Sequence, residues 1–165
     1  AVPESGGVML VPAFSGWGPP HWDPQARGVL VGLTRDSNRG HIARAALEGI
    51  ALSVATLVEL AGEALGHDLR ELAVDGGAAA SDPLLQAQAD STGLTVRRPR
   101  NLESTARGIA LFAGVQCGLI PDLSAIAAHR EDDVQRFEPQ INTERRRHQR
   151  DRWNDAVNRS LGWHG

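Results

Sequence analysis

The residues best placed to do chemistry run Val74-Asp75-Gly76-Gly77-Ala78-Ala79-Ala80-Ser81-Asp82-Pro83. A short apolar run, Leu72-Ala73-Val74, meets a paired glycine, and an alanine- and glutamine-rich helical pattern follows. That order predicts a strand, a turn too tight for side chains, and a helix start aimed at the space above the strand. Backbone N–H groups and the positive helix end make such a corner a seat for phosphate. A Gly-Gly turn alone is also an ordinary strand-to-helix connection, so the flanking sequence has to decide. Ser81 and Asp82 are first of all capping residues; with Asp82 as the cap, Pro83 takes the favoured first helical position.

Other polar groups carry less. His21 and Asp23 lack further partners at metal-ligand spacing, so no metal site is expected. His41, Arg44, Glu48, Glu59 and Glu63 form a thin polar stripe on an otherwise apolar helix, suited to pairing at a surface or between domains. Arg145-Arg146-Arg147-His148-Gln149-Arg150 invites a nucleic-acid reading, but Glu144, Asp151 and Asp155 interrupt it. Trp153, Ala156, Val157 and Leu161 follow at helical spacing, which predicts a solvated helix face with its far end docked. No nucleic-acid partner is expected.

Around these groups lie alternating apolar runs and helical patterns. Strands are expected at Val8–Val11, Val29–Leu33, Leu72–Val74 and Leu94–Arg97. Helices are expected over about 41–64, capped by Ser37 or Asn38 and stopped by Gly66, and over 82–92, 104–116 and 143–161. Asp122 is placed to cap a short helix through Ala128, and Val134–Phe137 reads as an extended link. Small residues at Ala106, Gly108, Ala110, Ala113 and Gly114 predict close approach of the 104–116 helix to a sheet. Strands alternating with helices give an α/β layer architecture. The opening strand has little before it to pair with, which suggests a sheet that began upstream.

Composition bounds the chemistry. The chain has 165 residues and a formal net charge of −3, enough for one domain with a real core. It contains no lysine, which excludes a Gly-Lys-Ser/Thr phosphate loop and a Schiff-base nucleophile. With no tyrosine either, chemistry falls to histidines, carboxylates, arginines and backbone amides. Cys117 is the sole cysteine and is expected to be a buried, inert thiol. No stretch reads as long and apolar enough to cross a bilayer, and the first residues lack a secretory pattern. A cytoplasmic protein without a membrane partner is expected. The first residue is not methionine, which hints at a processed or truncated chain.

The segment Gly28-Val29-Leu30-Val31-Gly32-Leu33 followed by His41-Ile42-Ala43-Arg44-Ala45-Ala46-Leu47-Glu48 resembles the C-terminal signature of the FGGY carbohydrate kinases. The run from Pro12 to Gly28, including Trp22-Asp23-Pro24, is similar to the glycerol kinase branch of that family. So are Gly32-Leu33-Thr34-Arg35, Val74-Asp75-Gly76-Gly77-Ala78 and Ser160-Leu161-Gly162-Trp163, and the resemblance extends from about Gly7 to Trp163. It implies an actin-like ATPase (ribonuclease H-like) fold, with residues 1–165 forming the nucleotide-side C-terminal domain. The mixed sheet would be flanked by helices, and its first strands and a whole N-terminal domain would be missing.

The implied reaction moves the γ-phosphoryl of ATP, with Mg2+, to glycerol or a related polyol, giving glycerol 3-phosphate. Such transfer asks for positioning and charge stabilisation, with a carboxylate to orient the attacking hydroxyl. By resemblance that base lies upstream, so no catalytic residue is assigned in this chain. Gly77 matches the glycine whose amide approaches the nucleotide phosphates, and Ser81 replaces a usual asparagine that helps hold the nucleotide. Gly76 would be required because a Cβ there obstructs the turn or the ligand, and Asp75 would orient the loop or meet magnesium through water. Trp17, Pro19 and Arg107 depart from the family's usual leucine, alanine and leucine. Another FGGY kinase with a ketose acceptor, or a non-catalytic actin-like module, are the alternatives. A homo-oligomer is a further expectation.

Overall fold

The computed structural model describes residues 2–128 and 134–163. Strands β1 (Met9–Val11) and β2 (Val29–Val31) pair antiparallel, with Leu10 opposite Leu30. Helix α1 (Arg39–Leu65) follows, then β3 (Glu71–Ala73), a 3-10 turn at Gly77–Ala80, and α2 (Asp82–Thr92). Strand β4 (Thr95–Pro99), helices α3 (Ser104–Gln116) and α4 (Leu123–Ala128), strand β5 (Val134–Phe137) and helix α5 (Thr143–Asn158) complete the order. In the second sheet β3 lies parallel to β4, and β5 pairs antiparallel on β4's other edge. The segment 134–137, expected as a link, is therefore a strand. Its pairing partner lies far away in sequence, which local pattern does not register.

Helix α1 starts where Asn38 caps it: Asn38 Oδ1 accepts from Gly40 N at 2.9 Å, and His41 Nδ1 accepts from Asn38 N at 3.2 Å. Reciprocal capping satisfies donors that the first turn leaves orphaned. Gly66 ends the helix in the left-handed conformation at φ 69°, as the sequence indicates. Ala45, Gly49, Ala51, Leu52 and Ala55 form its buried face, against β1 and α2. On the outer side Ile50 and Leu57 stay exposed, so the helix is covered on fewer sides than its thin polar stripe suggests. One expectation fails here: by length and composition alone, this 27-residue helix is long and apolar enough to cross a membrane. Its charges gather near the two ends, as Arg44–Glu48 and as Glu59 and Glu63, leaving an apolar middle.

Two cores result. Met9, Val11, Ala13, Leu52, Trp153 and Val157 build one, with Trp17 set edge-on to Trp153 at 6.1 Å. The other gathers Ala79, Leu85, Ala89, Val96 and Phe137 beneath α2. Helix α5 docks by its C-terminal half, as expected, but its arginines are tethers as well as solvated charges. Arg145 pairs with Glu4 at 3.0 Å, Arg146 Nε donates to Asp90 O at 2.8 Å, and Arg150 reaches Thr56 Oγ1 at 2.8 Å and Glu59 at 2.5 Å.

Helix α3 departs from expectation. None of its residues is buried, and Ile109 and Phe112 are 68% and 60% exposed. Within the described residues it packs with α4, and Gly114 makes room for Ile120 in the link between the two helices. Its small residues therefore do not seat it on the sheet. Cys117, at its end, is exposed instead of buried.

The outer face of the second sheet carries a charge bridge. Glu71 accepts from Arg136 at 2.6 Å and from Arg97 at 3.1 Å, joining all three strands. The Arg136 hydrogen bond, with the charges of Arg97 and Arg136 adding, holds the Glu71 carboxyl below its ordinary pKa against the opposing effect of desolvation. A depressed folded-state pKa gives stability that is present above the unfolded value and lost as pH falls through the folded one. Acid titration of the unfolding midpoint should show this loss at and below the normal glutamate range, and Glu71→Gln should remove that part of the slope.

A Cβ on Gly49 would lie 2.0 Å from Leu10 O, a backbone atom that cannot step aside cheaply. Gly49→Ala is expected to cost about 1–3 kcal/mol or more through overpacking. Trp153→Ala should cost about 3–5 kcal/mol by emptying the core. Urea unfolding of both variants checks these values.

Candidate functional site

The Asp75-Gly76-Gly77 corner sits at the C-terminal end of β3, between strand and 3-10 turn. Gly76 has φ 79° and ψ 175°, a positive-φ extended conformation that L-residues enter only with strain. Its N–H donates to Leu102 O at 2.8 Å, tying the corner to the segment after β4. Ala79 N to Gly76 O at 3.0 Å and Ser81 N to Ala78 O at 3.1 Å close the turn. Ala79 itself is 2% exposed and plugs the core beneath α2.

Among the described residues, a Cβ built on Gly76 or on Gly77 meets no atom within 4 Å. Of the two reasons expected for Gly76, obstruction of the turn gives way to its backbone angle, since among the described residues a Cβ has space there; obstruction of a ligand is a separate reason. Gly77 lies outside the positive-φ residues, so neither angle nor protein contact demands a glycine there. Among the described residues the N–H groups of Gly77 and Ala78 donate to no backbone acceptor. These are donors at the start of a turn, free to meet an anion.

The capping expectation needs a correction. Ser81, not Asp82, is the cap of α2, and Asp82 and Pro83 occupy the first two helical positions. The Ser81 side chain makes no cap hydrogen bond, so its hydroxyl has no cap role. Asp82 turns instead to Arg98, at 2.7 Å. Asp75 is exposed and forms no ion pair or hydrogen bond among the described residues.

Arg98 is the functional-site neighbour that sequence reasoning missed. Its Nη1 also donates to Ala79 O at 2.8 Å, its Nη2 donates to Gln135 Oε1, and its guanidinium lies 5.2 Å from the centre of the Phe137 ring. The signal was there: side chains alternate along a strand, so Arg98 shares a face with fully buried Val96. A cavity of about 390 Å³ adjoins the corner, lined by Ala80, Arg98, Pro99, Arg100, Leu102 and Gln135.

The aromatic loop before β2 is spent on structure. Trp17 Nε1 donates to Ser160 Oγ at 2.9 Å, and Asp23 accepts from Gly162 N at 2.7 Å and from Gln25 N at 2.8 Å. Asp23 is thus a loop fastener, and His21 packs against Trp17 at 6.0 Å. Among the described residues no cluster of three or more His, Cys, Asp or Glu is arranged to hold a metal.

The described residues form an α/β domain with a mixed sheet and a glycine corner at the end of a parallel strand, and its structural neighbours share the actin-like ATPase fold. The model for the FGGY family of carbohydrate kinases, C-terminal domain, matches residues 1–117, and the chain belongs to that family. It is 53% identical over 163 residues to a glycerol kinase of Citrifermentans bemidjiense, and 47% over 162 residues to one of Deinococcus radiodurans. Those alignments take in 99% and 98% of this chain but 32% of each relative, so the chain spans about a third of their length. Among solved structures it resembles Plasmodium falciparum glycerol kinase with ADP, with a TM-score of 0.81, 32% identity, and coverage of 98% of this chain and 32% of that one. A ligand-bound xylulose kinase from Lactobacillus acidophilus matches with a TM-score of 0.66 and 25% identity, over 93% of this chain and 31% of that one.

Because the Gly76 angle is strained for any L-side chain while space is ample, Gly76→Ala should cost about 1–2 kcal/mol without unfolding the domain. Thermal melts, with amide exchange at the turn, read the outcome.

Proposed function

We propose that this chain is the nucleotide-side part of an ATP-dependent glycerol kinase. The observation that carries the reading is the open corner: two free amides, a side chain-free approach, and an adjoining cavity, in a chain whose relatives bear that name. In this reading ATP supplies the γ-phosphoryl group and the polyol hydroxyl accepts it. The Gly77 amide meets the phosphates as they pass over the corner. Ser81 offers its uncommitted hydroxyl to the nucleotide, a shorter reach than the family's asparagine and one that a water can extend. Gly76 sets the turn that presents these groups. Asp75, a single unpaired carboxylate, suits water-mediated contact with Mg2+, which takes most of its ligands from phosphate and water.

The relatives are about three times as long as this chain, so the acceptor site and the base that orients the hydroxyl are assigned to the portion this chain does not match. On that assignment the domain is the C-terminal one, and closure against its counterpart would exclude water from the transfer. The greater likeness to a glycerol kinase than to a xylulose kinase favours glycerol over a ketose acceptor. We place the reaction in the cytoplasm, where ATP and glycerol meet.

Calorimetric titration with Mg-ATP tests the reading, and saturable binding that competes with ADP is expected. A folded protein that gives no heat and no competition overturns it. Gly77→Ala is the sharper variant, since its Cβ has neither clash nor strain in the free protein. It should leave the unfolding midpoint in place and weaken ATP binding about tenfold, equivalent to about 1.4 kcal/mol, through lost close approach. Glycerol phosphorylation is expected to need the remaining kinase segments, and robust turnover by these 165 residues alone would contradict the assignment of the base elsewhere.

A further inference from the structure

We infer that Arg98 is a positioning residue for phosphate binding: its guanidinium holds the 3-10 turn so that the Gly77 and Ala78 amides face the ligand. The inference rests on the nucleotide reading of this corner and deepens it.

The turn at Gly77–Ala80 is four residues long, and such turns have poor hydrogen-bond geometry and little stability of their own. What aims it must come from outside. Ala79 anchors it from below by burial, and Arg98 grips its backbone directly, through Ala79 O at 2.8 Å. In any helical turn carbonyls point one way along the axis and N–H groups the other. Holding a carbonyl from the β4 side therefore turns the free amides of the first residues away from that side, into the open space.

The same guanidinium does a second thing. Asp82 places a carboxylate within the first turn of α2, close to where a polyphosphate would approach. Paired to Arg98 at 2.7 Å, its charge is offset and its direction fixed. Arg98 can do both because it is itself clamped. The side chain is 15% exposed, lies over the Phe137 ring, and donates onward to Gln135. A planar fork of five donors suits this many-sided duty, and a lysine's point charge does not. Arg97, next in sequence, faces the opposite side of β4 and pairs with Glu71, so it serves as an internal control.

The test compares ATP, ADP and adenosine binding to the protein and to Arg98→Gln, Arg98→Lys and Arg97→Gln, with amide exchange measured across all four. Arg98→Gln should lose about tenfold in ATP and ADP affinity, the scale of a charge-assisted hydrogen bond, while adenosine affinity stays as in the parent. The hydrogen-bonded amides of Ala79 and Ser81 should exchange faster in that variant, with α1 unchanged. Arg98→Lys should recover only part of the loss, and Arg97→Gln should keep the parent's ATP affinity. Equal losses for ATP and adenosine, or parent-like affinity and exchange in Arg98→Gln, would overturn the inference. If the parent binds no nucleotide, the functional reading fails. Exchange at the turn then decides by itself whether Arg98 positions it.

Discussion

The contact on which the rest of the molecule hangs is the backbone approach of α1 to β1 at Gly49. With no side chain in the way, Leu10 O comes so close that an added Cβ would lie 2.0 Å from it. That approach lets Leu52 and Trp153 close one core from either side. The same helix packs along α2, whose own start carries the candidate site. Small residues between elements set their distance, and distance in a close-packed interior fixes everything downstream. The glycine corner is thus linked to the β1–β2 pair through α1 and α2.

The corner itself combines a fixed base with an open top. Below, Ala79 is part of a core and Arg98 and Leu102 hold the turn through its carbonyl and its N–H. Above, among the described residues, no atom lies within 4 Å of a Cβ built on Gly76 or Gly77. Binding sites for phosphate gain from this division, because donors that are already oriented need not be reorganised when charge arrives. The adjoining cavity shares Arg98 with the turn, so the wall of one is the support of the other.

Charge elsewhere is used mainly for fastening. Three arginines of the run in α5 reach Glu4, Asp90 O, Thr56 and Glu59, which explains why a strongly basic stretch leaves so little of its charge uncommitted. Glu71 does the same for the second sheet. By contrast, α3 keeps Ile109 and Phe112 in the open and rests on α4.

Local chemistry was enough to read much of this in advance. Gly66 and Asn38 bound α1 because turn angles and caps depend on a few adjacent residues. The α/β class, the strand before Asp75-Gly76-Gly77 and the docked end of α5 followed from periodicity, which is likewise a local property. Tertiary structure alone decided the rest. Strand β5 became a strand by pairing with β4, and Ser81 takes the cap position of α2 while Asp82 pairs with Arg98. Cys117 is exposed because α3 found no cover among the described residues. Sequence spacing specifies which groups share a face; only the folded chain determines what, if anything, that face meets.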